Sequence, residues 1–181
     1  MTRTVRAALA ALGMAGLLGG NLLRAADEPA TGIDAKSAFA RLKSLAGDWK
    51  VAVDEKQHAH DASKETVSYA VKSNGSVVMQ NQFPGSDHEM ISVYHLDGDD
   101  LKMTHYCAIG NQPRLKLDRK ASSKDTLVFH FDGGTNLNPD KDMYIAGLTI
   151  RFKADGKIEE AWESKAGGKK GQGMTFELTR R

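Results

Sequence analysis

Apolar and polar residues alternate along most of this chain, in short runs separated by Gly, Asn, Asp or Pro. Alternation with a period of two is typical of strands that bury one face, and turn-forming residues between such runs are typical of hairpins. The pattern predicts about nine or ten strands, with candidates at 48–54, 64–73, 76–83, 89–96, 101–108, 113–118, 125–131, 143–153, 156–163 and 173–179. A long run of hairpins must protect its edges, and closure does so. We therefore expect an all-β fold, a closed antiparallel up-and-down β-barrel.

A different periodicity precedes the strands. Phe39, Leu42 and Leu45 recur at three-residue spacing, with basic residues between them. Asp34 is a good N-cap for a helix there, and Gly47 ends the segment. We expect a short amphipathic helix that lies across one mouth of the barrel.

The segment 97–100 predicts a hairpin turn that assigns faces to the central strands. Pairing Leu96 with Leu101 sets Ser92 opposite His105. One face then holds Met90, Ser92, Tyr94, Leu96, Leu101, Met103, His105 and Cys107, and the other holds Glu89, His95, Lys102 and Thr104. Because the first set is the more apolar, we expect it to point inward.

Two further turns have distinct signatures. Asn74-Gly75 predicts a type I′ turn, whose two central residues need positive φ. At 154–156 a three-residue loop with Gly156 left-handed is favoured over a two-residue turn, because it buries more apolar side chains. That register points Glu160 inward, where a carboxylate needs a partner, and leaves Arg151 facing Glu159 in solvent.

Gly47-Asp48-Trp49 opens the first strand, and Arg180 ends the last one. This arrangement resembles the lipocalin and calycin barrels, in which such a Trp seals the closed end beneath an Arg. The blocks 84–90, 93–99 and 104–114 are similar to a group of bacterial exported lipocalin-like proteins of unestablished function. The resemblance covers about residues 39–179 and implies barrel-closing roles for Trp49 and Arg180. Some similar barrels bind haem through a late histidine, but His130 is the last one here, and we expect no cofactor.

The first 25 residues are typical of an export signal, because arginines flank the start of an apolar run without acids. That run is too short to span a bilayer. We expect a signal peptide at 1–25, a flexible leader at 26–33 and a barrel domain at 34–181, in a periplasmic or secreted protein without stable membrane insertion after cleavage. An uncleaved amphipathic anchor is the alternative.

Cleavage would also change the charge balance. Removing the three arginines of the signal lowers the formal net charge from +2 to −1, so no basic surface for nucleic acid is expected. Cys107 is the single cysteine and has no partner in the chain, so we expect it to be buried.

Polar residues on the predicted inner face indicate a ligand pocket, which combines an apolar lining with a few polar groups. The candidate ligand-binding residues are Ser92, Tyr94, Met103, His105, Cys107, Arg114 and Glu160. The expected partner is a small apolar or amphipathic ligand. The alternative is a polar network that only stabilises a filled barrel, which would then serve as a structural or interaction module.

Catalysis and metal binding are weaker hypotheses. His105 and Cys107 share a face, but the lining is too apolar to activate a thiolate. His105 and Glu160 form an alternative acid/base pair. The segment containing His58 and His60 is interpreted as a solvated loop, since no second ligand cluster completes a metal site. Segment 132–142 is interpreted as a long solvated connection and not as a calcium loop.

Overall fold

The structure, a computed structural model, describes residues 32–52 and 66–181. The predicted signal peptide, most of the leader, and the segment with His58 and His60 lie outside these residues. The described part contains the helix α1 (Ala35–Lys43) and the strands β1 (Gly47–Ala52), β2 (Thr66–Lys72), β3 (Val77–Gln82), β4 (Met90–Asp97), β5 (Asp100–Tyr106), β6 (Gln112–Leu117), β7 (Thr126–Thr135), β8 (Met143–Phe152), β9 (Ile158–Ala166), β10 (Lys169–Lys170) and β11 (Met174–Arg180).

The sheet closes on itself. Each strand from β1 to β9 pairs antiparallel with the next, and β11 pairs with both β9 and β1. The two-residue strand β10 only extends β9 beyond the part that pairs with β11. Ten strands therefore form a closed antiparallel up-and-down barrel, and the predicted fold class is confirmed. Because every barrel strand has two neighbours, none is left as an open edge.

The helix α1 covers one end of this barrel. It begins after Asp34, whose carboxylate accepts the backbone N–H of Ser37 at 2.9 Å, as the sequence predicted. Its buried side includes Phe39 and Leu42, and it packs against β2, β4 and β5. Arg41 extends from α1 to β8, where its Cζ lies 4.1 Å from the ring centroid of Phe152. We call this the closed end. Among the described residues, no helix has the length and apolar character to cross a membrane.

Trp49 and Arg180 are in contact where the first and last strands pair. Cζ of Arg180 lies 4.5 Å from the Trp49 ring centroid, and the guanidinium donates to the carbonyls of Ala46 at 2.9 Å and Ser44 at 3.0 Å. These carbonyls follow α1, so one side chain links the helix end, the first strand and the last strand. Gly47 has φ +130°, and a Cβ there would lie 2.8 Å from Nη1 of Arg180, so the approach requires glycine.

The predicted registers of the central and the late hairpins are confirmed. Ser92 pairs with His105 across β4 and β5. Ile150 pairs with Glu160 across β8 and β9, where Gly156 has φ +81°. Arg151 and Glu159 form the expected ion pair on the outside.

The predicted turn at Asn74-Gly75 is also confirmed. Both residues have positive φ, at 51° and 85°, and the N–H of Ser76 donates to the carbonyl of Ser73 at 3.1 Å. Ser73 also has positive φ, at 51°, and the last strand pair is Lys72 with Val77, so the whole connection is four residues long with the predicted turn at its tip.

The largest error in a predicted strand boundary is at the end of β7. β7 continues to Thr135, whereas the sequence ended it at 131 and treated Gly133-Gly134 as part of a loop. Here the glycines allow close approach within a sheet. A Cβ on Gly133 would lie 2.9 Å from the guanidinium of Arg114, and one on Gly134 would lie 2.7 Å from a methyl group of Leu137.

Large apolar side chains fill the closed half of the barrel. They come from most strands and pack beneath α1 as one cluster, which includes Trp49, Tyr94, Leu101, Met103, Leu115, Leu127, Phe129, Leu148 and Ile150. This half of the described barrel is therefore a packed hydrophobic core.

Candidate ligand-binding site

A cavity of about 840 Å³ occupies the half of the barrel opposite α1. We call this the open end. Its lining comes from the ends of β3, β5 and β9, the starts of β4, β8 and β11, and the connections between them. The apolar part of the lining includes Phe83, Met90, Ile145, Trp162, Met174 and Phe176. The barrel is therefore filled at one end and hollow at the other.

His105 points into this cavity from β5. Its side chain is almost fully buried, and Nδ1 lies 2.9 Å from the hydroxyl of Ser92 on β4. Its ring centroid lies 5.2 Å from that of Trp162. Burial lowers the pKa of His105 to about 4, so the imidazole is neutral near pH 7. Nε2 is buried without a hydrogen-bond partner among the described residues.

Gln82, at the end of β3, is a second buried polar group on the cavity. Only 1% of the residue is exposed, and Oε1 has no partner within the described part of the chain. Gln82 was not predicted from the sequence. A signal was present, because Val78, Gln80 and Gln82 alternate along one strand and so share the buried face.

Two other buried oxygens lack partners, on Asn81 and Asn111, but neither residue lines the cavity. Each of these amides is held through its nitrogen, by Glu89 at 2.8 Å and by the carbonyl of Met143 at 2.7 Å. Gln82 differs because it faces the hollow half.

Cys107 lines the cavity beside Met90. Its Sγ lies 4.0 Å from Sδ of Met90, although the ladder between β4 and β5 ends one residue earlier, at Ile91 and Tyr106. The expected inward orientation of Cys107 is confirmed, but the residue is only half-buried.

A polar network centred on Glu160 crosses the barrel next to the cavity. Glu160 is fully buried and accepts hydrogen bonds from the Tyr69 hydroxyl, from Nε2 of Gln80 at 2.9 Å to both oxygens, and from Nε1 of Trp162 at 3.1 Å. Tyr94 completes the network by donating to Oε1 of Gln80 at 3.0 Å. We call these five residues the Glu160 network.

Burial shifts the pKa values of the titratable groups in this network. Desolvation raises the pKa of Glu160, and the hydrogen bonds from its three neutral neighbours offset part of that rise. Burial also raises the pKa values of Tyr69 and Tyr94 well above 10, so both hydroxyls remain proton donors. The network thus satisfies its own polar groups without any basic side chain.

The predicted site residues divide into three groups. His105 and Cys107 line the cavity, and Ser92 supports His105 from behind. Tyr94, Met103 and Glu160 point inward as expected, but they lie in the filled part of the lumen and do not line the cavity.

Arg114 belongs to the third group, because the structure does not bring it to the others. The sequence analysis placed it on the loop leaving β5, whereas β6 already begins at Gln112. Alternation along β6 buries Pro113 and Leu115 and turns Arg114 outward, where it is exposed and covers Gly133. The expectation that Arg114 joins the pocket is wrong.

The catalytic alternatives gain no geometric support. The partner of His105 is Ser92, and the sulfur contact of Cys107 is with Met90. Glu160 does not line the cavity, and both of its oxygens are engaged by the network. A general base must reach a substrate proton directly or through one water, and Glu160 faces none of the open volume.

The other described histidines differ in position. His88 lines the mouth of the cavity from the exposed β3–β4 connection. His95, in β4, does not line the cavity, and His130 is on the outer surface with Nε2 3.6 Å from Asp118. His58 and His60 lie outside the described residues. Within those residues, no group of three or more His, Cys, Asp or Glu side chains is placed to hold a metal ion.

No protein-family model and no curated protein matches this sequence. The architecture and the site therefore define the class, a closed ten-stranded antiparallel barrel with a filled end and a hollow end.

Proposed function

We propose that this chain is an exported lipocalin-like protein that holds a small apolar or amphipathic ligand in the cavity at its open end. The observation that carries the proposal is a cavity with a largely apolar lining that also includes two almost fully buried polar side chains, those of His105 and Gln82.

The size and chemistry of the cavity support a small-molecule occupant. Ligand pockets typically measure about 300–1,000 Å³ and combine an apolar lining with a few polar groups that orient the ligand. The volume of about 840 Å³ falls within this range. Phe83, Trp162 and Phe176 supply aromatic surface, and His105 and Gln82 supply the polar groups.

The composition of the lining also argues against a purely structural role. A buried polar group without a hydrogen bond costs about 1–3 kcal/mol, so native cores usually satisfy such groups internally, as the Glu160 network does. His105 and Gln82 each keep a buried polar atom without a partner among the described residues. The structural alternative explains the Glu160 network well, but it gives no reason for a cavity of about 840 Å³ beside these two residues.

The lipocalin-like assignment and the export of the protein rest on the sequence together with the closed end. The contact of Arg180 with Trp49 is the arrangement that the resemblance implied. A periplasmic or secreted location follows from the predicted signal at residues 1–25. N-terminal sequencing of protein recovered from the periplasm or the medium tests it, and recovery of the uncleaved chain would contradict it.

Ligand binding can be tested with two neighbouring residues on opposite faces of β4. Met90 lines the cavity, whereas Ile91 points outward, and both are half-buried. Met90→Trp should fill the volume and weaken binding of an environment-sensitive apolar fluorophore at least about tenfold. Ile91→Trp, the matched control, should leave binding unchanged. Thermal melts of both variants would show that each is folded.

A complementary experiment searches for the natural occupant. Protein purified without detergent is extracted with organic solvent, and the extract is analysed by mass spectrometry beside a Met90→Trp sample. A species enriched only in the wild-type extract supports the proposal. An empty barrel that also fails to bind the fluorophore would overturn it.

A further inference from the structure

We infer that the mouth of the cavity binds a soft metal ion, Cu(I), between the sulfur atoms of Cys107, Met90 and Met143. The inference goes beyond the proposed function and does not depend on it, because it concerns metal binding at the rim and not an apolar occupant. It rests on the concentration of sulfur side chains at the open end, on the distance between two sulfur atoms, and on the contact that holds the third residue.

Sulfur side chains are concentrated around the open end. The described part of the chain contains five methionines and the single cysteine, and four of these six side chains line the cavity: Met90, Cys107, Met143 and Met174. None of the four is fully buried, since Met90 and Cys107 are half-buried and Met143 and Met174 are 43% and 37% exposed. A metal ion therefore has access to this group of residues from solvent.

The sulfur atoms of Cys107 and Met90 are at the separation that a shared ion requires. Sγ of Cys107 lies 4.0 Å from Sδ of Met90. With metal–sulfur bonds of about 2.3 Å, two sulfur atoms at that separation subtend an angle of about 120° at the ion. A linear site with the same bonds would need about 4.6 Å, and a tetrahedral site about 3.8 Å. The distance is closest to that of a trigonal site, which needs a third ligand.

Met143 supplies the third ligand. The backbone N–H of Cys107 donates to the carbonyl of Asn111 at 3.1 Å, and Nδ2 of Asn111 donates to the carbonyl of Met143 at 2.7 Å. Asn111 is buried, so this link between the turn after β5 and the start of β8 is protected from solvent. It holds the backbone of Met143 beside the turn that begins at Cys107. The unbranched thioether side chain lines the cavity and adapts its position by rotation about its single bonds.

The donor atoms determine which metal the site prefers. Thiolate and thioether ligands select Cu(I), whereas zinc is held by Cys, His and carboxylate side chains. His88 and His105 also line the cavity, but the described residues contain no group of three His, Cys, Asp or Glu side chains placed to hold a metal ion. On binding, the thiol of Cys107 loses its proton to solvent and its sulfur donates an electron pair to Cu(I), whose oxidation state does not change.

Metal loading of the full chain tests the site. The protein is mixed without oxygen with Cu(I) held by acetonitrile, a weak ligand, and unbound metal is removed by gel filtration before copper is measured. Competition with bicinchoninate then gives the affinity for Cu(I). We expect Cu(I) to stay with the chain and an excess of Zn²⁺ not to displace it. Loss of all copper on the column, or displacement by Zn²⁺, would overturn the inference.

Three substitutions and a matched control connect binding to the named sulfur atoms. Cys107→Ser, Met90→Leu and Met143→Leu should each weaken Cu(I) binding at least about tenfold, the lower end of what loss of even an outer-shell partner costs. Met79→Leu should leave binding unchanged, because Met79 is on the other face of β3 from the buried Gln80. Thermal melts would show that each variant is folded. Wild-type affinity in any of the three site variants would overturn the assignment of that ligand, and in all three it would overturn the site.

X-ray absorption identifies the ligand atoms directly. The Cu(I)-loaded chain should show three sulfur neighbours at about 2.3 Å, and Met143→Leu should show two. Nitrogen neighbours at about 2.0–2.1 Å would assign the ion to histidines, such as His58 and His60 outside the described residues, and would overturn the site.

Binding of the apolar fluorophore, measured on the same samples, separates this inference from the proposed function. A chain that binds the fluorophore but no Cu(I) overturns the metal site alone. A chain that binds Cu(I) through these sulfur atoms but no fluorophore, and yields no extracted species, overturns the proposed function alone.

Discussion

The hydroxyl of Ser92 lies 2.9 Å from Nδ1 of His105, and this pair joins β4 to β5 on the inside of the barrel. The contact holds the imidazole beside Trp162, and Nε2 is buried without a hydrogen-bond partner among the described residues. Its position beside the hollow volume distinguishes it from the hydrogen bonds within the Glu160 network.

Replacing His105 by leucine should weaken binding of an amphipathic probe that carries a hydroxyl group about fivefold, because one polar contact worth about 1 kcal/mol is lost. The free energy of unfolding near pH 7 should fall by about 1 kcal/mol, because the buried Ser92 hydroxyl loses its partner while one unpartnered polar atom is removed. Displacement titrations and urea unfolding measure the two quantities. Unfolding of this variant would instead favour the purely structural interpretation of the residue.

The stability of the folded protein should depend on pH through His105. Its pKa is about 4 in the folded state and 6.5 in its ordinary environment, so the unfolded chain binds the proton more strongly. The contribution of His105 to the free energy of unfolding is therefore fully present above pH 6.5. It is lost as the pH falls through 4, by about 3 kcal/mol in total. Urea unfolding between pH 4 and pH 7 should show this loss in the wild type and not in His105→Leu.

Glu160 acts in the opposite direction in that experiment. Its pKa in the folded state is raised above 4.5. Its contribution to the free energy of unfolding is therefore fully present below pH 4.5 and is lost as the pH rises through the folded-state pKa. Comparing wild type with His105→Leu isolates the histidine, because Glu160 is common to both. Identical pH profiles for the two proteins would contradict the assignment.

Tyr69→Phe should destabilise the fold by about 2 kcal/mol, because it removes a hydrogen bond to a buried carboxyl group. It should also raise the pKa of Glu160 further, since that hydrogen bond lowers it. Tyr106→Phe is the matched control, because Tyr106 is 49% exposed on the outer surface. Equal melting temperatures for the two variants would show that the network contributes little to stability.

Arg180→Ala should lower the free energy of unfolding by about 1 kcal/mol, since it removes the contact with Trp49 and two hydrogen bonds to carbonyls at the end of α1. Arg180→Lys should recover only part of this, because an ammonium cannot donate to both carbonyls in the same planar geometry. Arg181→Ala serves as the control, and ligand affinity should be unaffected in all three. A loss of binding in Arg180→Ala would show that the closed end affects the cavity.

The fold and two hairpin registers followed from the sequence because turn chemistry and burial act over a few residues. Leu96 opposite Leu101, and Gly156, each determined a register locally. The prediction at Gly133-Gly134 was wrong because a local rule treats paired glycines as a turn and cannot detect that Arg114 packs over Gly133.

Only part of the candidate site could be predicted from the sequence. Inward residues could be identified strand by strand, and His105 and Cys107 were found in this way. Whether an inward residue meets open volume or a packed neighbour depends on strands that are distant in sequence. Glu160, for example, is engaged by Tyr69 and Gln80 from β2 and β3. Gln82 was missed because no face was assigned to β3.

The position of the Glu160 network limits how an occupant could enter and leave the cavity. It forms a floor across the lumen, and beneath it lie the packed side chains, α1 and the Trp49–Arg180 contact. A molecule that reaches this floor has no through-passage, so it must leave by the mouth that admitted it. Entry and release would then both depend on the residues around the open end, so the barrel would act as a container with one opening and not as a channel.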